Sequence, residues 1–293
     1  MTTATSLPAD IKKRSRPLKL IIVTPLLRVD AHAIALNSSL ATLRRGGLEF
    51  THIVIHSPLA IDPQAAFPEA IIVKEDPSEK GVFPAVSQGF DFAINKCGAT
   101  HLAFINSDDI LYPEYAGFWH QTQETNPAII IARTKWISEE KEAFGLIPWW
   151  PFKSLCAELF EIDVPPFTQQ SVIIRSDLWT SIGGFESKYK YIADSVLWWA
   201  IARQSTIIKF HHSPVSGYCL RPGQLSSDTQ KVRQEVVRWQ EQLSRNALSL
   251  LIRRVAVILF RFYNFKIYIN RLIRRQVLFS GKATQQSTWR AQG

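Results

Sequence analysis

Cysteine, glycine and long apolar runs are all scarce in this chain. Only Cys97, Cys156 and Cys219 occur among 293 residues. Their odd number and wide spacing exclude a disulfide framework and a cysteine zinc site, and point to a reducing compartment. Glycine numbers only 13, and neither a low-complexity tract nor an internal repeat is found. The first ten residues are polar and lead into Lys12-Lys13-Arg14-Ser15-Arg16. That stretch has no apolar core of signal-peptide length, so residues 1–17 read as a flexible lead-in. The apolar run Val255 to Phe260 is far too short to span a bilayer.

A hydrophobic share of 46% over this length suffices for one large or two small cores. The net charge of +9 suits nucleic acid, anionic lipid or phosphorylated small molecules. Arg253, Arg254, Arg261, Lys266, Arg271, Arg274, Arg275 and Lys282 crowd the last fifth, interleaved with Leu250, Leu251, Ile252, Val255, Ile258, Phe262, Tyr263, Phe265 and Tyr268. One reading of 248–280 is a basic helix lying in an anionic membrane interface. The other is an ordinary helix packed on the domain with its arginines in water. Nucleic acid is excluded as a partner, since the arginines alternate with large aliphatic residues and no nucleic-acid motif is present.

Short apolar runs alternate with helical patterns. Leu18–Thr24 reads as a strand buried on both faces and ended by Pro25. A helix is predicted over Ala31–Arg45, stopped by Gly46-Gly47. Strands follow at Phe50–Ile55 and Ala70–Val73, a helix at Phe83–Lys96, and a strand at His101–Ile105. This alternation predicts an α/β fold with a mostly parallel central sheet, and ligands in such sheets bind at strand carboxyl ends. Beyond it, helices are predicted over Tyr115–Glu124, Asp177–Ile182 and Ala193–Arg203, and strands over Ala128–Arg133, Gln170–Ser176 and Thr206–His212. A long polar helix is predicted over Asp228–Ala247. Gly145–Phe152 reads as a loop whose Trp149 and Trp150 either stack on a sugar or plug the core.

Asn106-Ser107-Asp108-Asp109 falls where the fourth strand spills into a loop. Two adjacent carboxylates there offer hard oxygen ligands for Mg²⁺ or Mn²⁺, and such a cation neutralises a diphosphate leaving group. The bland reading is a polar turn capping the strand.

Several segments in this order resemble the inverting family 2 glycosyltransferases of bacterial surface-polysaccharide synthesis, whose fold is called GT-A. They are Lys19-Leu-Ile-Ile-Val-Thr-Pro25; Glu79-Lys80-Gly81 with Ala85-Val-Ser87 and Gly89; Phe104-Ile-Asn-Ser-Asp-Asp109 with Tyr112-Pro113; Thr168-Gln-Gln-Ser-Val-Ile-Ile-Arg175; Ile182-Gly-Gly-Phe-Glu186; Tyr191-Ile-Ala-Asp194; and Tyr218 with Arg221-Pro-Gly-Gln-Leu-Ser226. The resemblance covers about 18–245. It implies a nucleoside-diphosphate-sugar donor and a lipid-linked or polysaccharide acceptor. It implies Asp109 as metal ligand, and Asp108 as the partner that holds the ribose and steadies the cation. Thr24, Pro25, Glu79, Gly81 and Arg221 are the other implied donor-binding positions. Asp194 is the implied catalytic base, taking the acceptor hydroxyl's proton; on local sequence it also reads as a helix N-cap, and the two roles can coexist. Arg221 suits a diphosphate. His211 or His212 could complete the metal shell or be purely structural.

The pattern departs from the family in places. His56 stands where an acidic residue usually holds the nucleotide base, and Pro84 and Ser87 stand where Asp and Asn are common. An alternative is therefore a catalytically degenerate GT-A scaffold in a membrane glycan-synthesis complex. Gln234-Glu-Val-Val-Arg238-Trp239 resembles the Gln-x-x-Arg-Trp signature of processive synthases with one residue too many, and reads as chance. The expected layout is a catalytic domain over 18–225, divided into a nucleotide half (18–110) and an acceptor half (111–225). Basic amphipathic helices follow over 226–280 and a flexible tail over 281–293. The expected location is cytoplasmic, peripheral on the inner face of the cell membrane.

Overall fold

The computed structural model describes residues 17–204, 207–221, 224, 228–243 and 247–280. The expectations for residues 1–16, for the tail from 281 and for tail positions 222–223 and 225–227 lie outside them.

In chain order the elements are β1 (Leu20–Leu26), α1 (Ala31–Arg45), β2 (Thr51–His56), α2 (Pro63–Ala66), β3 (Ile71–Lys74), α3 (Val82–Cys97), β4 (His101–Phe104), β5 (Ile110–Leu111) and α4 (Tyr115–Thr125). They continue as β6 (Ile129–Ile137), β7 (Ala143–Leu146), α5 (Cys156–Glu161), β8 (Val172–Arg175), α6 (Ser176–Ile182), α7 (Ala193–Arg203), β9 (Ile208–Cys219), α8 (Thr229–Gln240), α9 (Ala247–Tyr263) and α10 (Phe265–Ser280).

One sheet runs β3-β2-β1-β4-β8-β6-β9-β5, with β7 paired to β6. The first four strands are mutually parallel. β8 is antiparallel to β4 and β6, and β6 runs parallel to β9. β1 sits centrally, which is why its run is almost wholly apolar. Helix α1 starts where the Asp30 carboxylate caps the His32 and Ala33 amides, and it lays Ala33, Leu36, Leu40 and Leu43 on one face of the sheet. On the opposite face α3 approaches very closely at Gly89. A Cβ there would come within 2.5 Å of Val23 Cγ1, so only glycine fits.

Pro25 does not end β1. It lies inside the strand, paired with Ile55. β4 stops opposite Val23, so Pro25 occupies a stretch bordered by one strand, where a missing N–H is tolerated. β9 also runs past His212 to Cys219, irregular in register against β6. The segment read as a loop at Gly145–Phe152 begins inside β7, and α5 follows it unannounced. Trp149 and Trp150 are buried, which makes them core plugs rather than a sugar-stacking wall.

The long helix predicted to Ala247 stops instead at Gln240. α9 and α10 meet at Asn264, a buried amide that binds the Trp149 backbone through both ends, with Trp149 N–H to Oδ1 at 3.1 Å and Nδ2 to the Trp149 carbonyl at 2.9 Å. α9 seats Ala256 and Phe260 against Leu159 and Trp150. Beside them the buried Arg253 guanidinium donates to Glu161 at 2.8 Å, and Trp199 Nε1 donates to the other carboxylate oxygen at 2.8 Å. One stripe of the basic segment therefore packs on the domain, and one of its arginines neutralises a core carboxylate.

Candidate functional site

The carboxyl end of β4 delivers the acidic pair. Their two side chains part company at once. Asp109 is fully buried. Its Oδ1 accepts the Cys219 amide at 2.8 Å, and its Oδ2 accepts Gln170 Nε2 at 2.8 Å and Asn106 Nδ2 at 3.4 Å. Burial, then the neighbouring Asp108 charge, holds its carboxyl well above the usual range. Asp108 Oδ2 accepts Arg221 Nε at 2.7 Å and Gln224 Nε2 at 2.9 Å, while Oδ1 has no hydrogen bond among the described residues. Lys141, in the left-handed region at φ 69°, reaches back from the β6–β7 turn to the Asp108 carbonyl at 2.7 Å and to His32 Nδ1 at 2.9 Å. Asp30 adds a second negative charge facing Arg221. The guanidinium thus sits between two acids, only partly screened by water.

The two acids therefore sit in different surroundings. Asp109 ties β4 to β9 from inside the wall, while Asp108, also buried, is held by Arg221 and Gln224. Two further oxygens flank them: Asn106 Oδ1 and Gln170 Oε1 are buried without a hydrogen-bond partner. Carboxylate and amide oxygens with spare lone pairs form a hard donor set that fits Mg²⁺ or Mn²⁺. Among the described residues no group of three or more His, Cys, Asp or Glu converges on a metal position. One or two carboxylates suffice for a Mg²⁺-type ion, which is commonly completed by substrate phosphates and water.

The remaining candidates are scattered around this centre. Thr24 is buried with its hydroxyl on His52 Nε2 at 2.9 Å, so its side chain serves the sheet rather than a ligand. Pro25 lies in β1 beside it. Gly81 has φ 134° and donates its amide to Glu75 at 3.1 Å, while Glu79 is exposed in the preceding turn. Asp194 lies in the first turn of α7 and accepts the Ser195 amide at 2.8 Å. Burial pushes its carboxyl up to about 6. It touches neither acid of the pair. His211 binds Gln121 at 2.7 Å and His212 packs edge-on against Trp149; neither reaches Asp108. His56, at the end of β2, binds the Ser57 carbonyl.

Three participants escaped sequence reasoning in different ways. Gln170 and Gln224 lie inside segments that resemble the family, but an amide carries no chemical signature alone. Lys141 sits in a turn with nothing in its neighbours to single it out.

No protein-family model matches the chain, and no curated protein matches it. Solved structures do. The chain is similar to S. aureus TarS 1–349, at TM-score 0.59 and 14% identity over 92% of this chain and 76% of that one. A structure of TarS 1–349 in complex with UDP-GlcNAc aligns at TM-score 0.58 and 15% identity over 84% of this chain and 73% of that one. A complex with UDP aligns at TM-score 0.54. The fold is that of a GT-A glycosyltransferase. In this GT-A chain the acidic pair occupies the carboxyl end of a central strand, where open α/β sheets take their ligands.

Proposed function

We propose that the protein is a metal-dependent inverting glycosyltransferase of the family 2 type. It moves a hexose from a nucleoside-diphosphate sugar to a lipid-linked or polysaccharide acceptor in cell-surface glycan synthesis. The observation that carries this reading is Asp108 at the end of β4 with Arg221 and Gln224 folded back onto it, in a fold that TarS, crystallised with UDP-GlcNAc, shares. Asp108, assisted by Asn106 and Gln170, would hold Mg²⁺ or Mn²⁺. Such an ion supplies neutralisation of the negative charge left on a departing diphosphate. Arg221 provides a second, planar cation for the same phosphates.

The residues then divide an in-line displacement between them. Asp194 accepts the proton of the acceptor hydroxyl as its oxygen bonds to the anomeric carbon, and the bond from that carbon to the diphosphate breaks on the opposite side. A carboxyl held near 6 is a stronger base than an ordinary aspartate, yet remains ionised at neutral pH.

A thermal-shift screen of UDP-, GDP- and dTDP-sugars with and without Mn²⁺ tests donor binding. At least one donor is expected to raise Tm only when the metal is present, because a ligand specific to the folded state adds stability by mass action. No shift with any donor and metal would favour the degenerate scaffold, a reading supported by His56, Pro84 and Ser87.

The acceptor reading draws on α9 and α10. No Asp or Glu occurs from Gln242 to the last residue. Exposed Phe262, Phe265, Leu272 and Ile273 lie among exposed Arg254, Arg261 and Lys266. No helix among the described residues is long and apolar enough to cross a membrane. Apolar bulk edged by cations alone complements an anionic bilayer surface, on the inner face of the cell membrane. The full chain is expected to float with phosphatidylglycerol-containing vesicles and not with phosphatidylcholine alone, and Phe262→Ser/Phe265→Ser to float less. Equal recovery of both proteins, or a dimer that persists with lipid present and buries this face, would overturn the assignment.

A further inference from the structure

Helix α8 does more than cover the domain. Its Glu235 is a buried carboxylate with no cationic partner in contact among the described residues. It accepts three consecutive backbone amides instead: Lys190 N–H at 2.9 and 3.1 Å, Tyr191 N–H at 2.7 Å and Ile192 N–H at 3.3 Å. Successive amides converging on one anion make a nest. Here the anion belongs to the protein and the nest is the segment that enters α7, two residues before Asp194. Other residues of α8, and Gln242 just past its end, hold the same stretch and α7. Trp239 stacks edge-on against Trp199 of α7 at 5.6 Å, Gln242 receives Lys188 Nζ at 3.2 Å and the Tyr189 hydroxyl at 3.4 Å, and Lys231 lies over the Tyr191 ring. Lys231, Glu235 and Trp239, spaced by four, mark one helical stripe.

We infer that Glu235 is a positioning residue: its carboxylate locks residues 190–192 and thereby fixes where Asp194 stands relative to the acceptor. This rests on Asp194 acting as the base. Buried backbone donors just ahead of a helix need an acceptor, and Glu235 supplies it to all three. Substituting an amide for the carboxylate keeps the volume but turns one end into a donor facing other donors. The turn must then shift, and a displacement of about 1 Å at a catalytic group can cost on the order of 10²-fold in rate. The placement also separates Glu235 from the accidental signature around it. Gln234 and Arg238 point to solvent, while Glu235 and Trp239 face inward.

The test compares Glu235→Gln with Asp194→Asn and with an Arg238→Ala control, measuring kcat, donor KM and amide hydrogen exchange on the full chain. Glu235→Gln is expected to lower kcat by about 10²-fold with donor KM unchanged, and to speed exchange at residues 190–192 while α1 and α3 keep their protection. Arg238→Ala should match the parent protein. Normal turnover of Glu235→Gln alongside an impaired Asp194→Asn would overturn this inference and leave the base intact. Normal turnover of Asp194→Asn would instead remove the base assignment. Loss of kcat, KM and global protection together would also overturn it, since that pattern marks a merely structural role.

Discussion

Asp194→Asn is expected to lower kcat by roughly 10²- to 10⁴-fold, the usual worth of a positioned general base, while the metal-dependent Tm shift given by a donor stays intact. The substitution preserves shape, and the asparagine oxygen still accepts the Ser195 amide that Asp194 accepts now. Only the capacity to take a proton is lost. The pH dependence follows from the same group. Its protonated form cannot act as base, and burial has moved its titration up to about 6. Activity should therefore fall as pH drops through about 6 and level off above it, later on the pH scale than an exposed aspartate would allow. A kcat/KM profile with its acid limb near 4, or an unimpaired asparagine variant, would remove Asp194 from the mechanism.

Asp108→Ala should abolish the metal-dependent Tm shift and lower kcat/KM by roughly 10²- to 10³-fold, the scale seen when one charge-stabilising group is deleted. The truncation also leaves Arg221 and Gln224 without the carboxylate they converge on. Asp109→Asn is the informative contrast. Its oxygen can still receive the Cys219 amide, but its new NH₂ faces the Gln170 donor. That clash weakens the β4–β9 tie, so the variant should lose stability at a scale of about 1–3 kcal/mol while retaining metal-dependent donor binding. Retained donor response in Asp108→Ala together with its loss in Asp109→Asn would restore the assignment first drawn from the sequence, with Asp109 as the metal ligand.

That contrast shows where sequence reasoning stops. Adjacent carboxylates at a strand end announce a site, but how each is held depends on β9 arriving with its Cys219 amide more than a hundred residues later. The parallel half of the sheet was legible because β1, β2 and α1 obey simple periodicities, and α7 was read to its observed limits for the same reason. Pro25 misled because a local rule about proline ignores which neighbours the strand has. The undivided helix expected to Ala247 misled for a similar reason: nothing local marks Gln240 as its end, while Asn264 and Arg253 acquire meaning only from Trp149 and Glu161, each far away in the chain. Glu235 sat in plain view inside a motif dismissed as coincidence. Its importance comes from three amides whose orientation no composition reports.

The Glu161–Arg253 contact has a mechanical implication. Removing one partner of a buried ion pair strands the other charge in a medium that solvates it poorly, a penalty of roughly 3–5 kcal/mol. α9 is therefore bolted on rather than tethered. Should lipid engage its outward residues, the whole domain would be carried at one fixed tilt, and the reach from bilayer to the acidic pair would be set by rigid geometry instead of by a swinging arm.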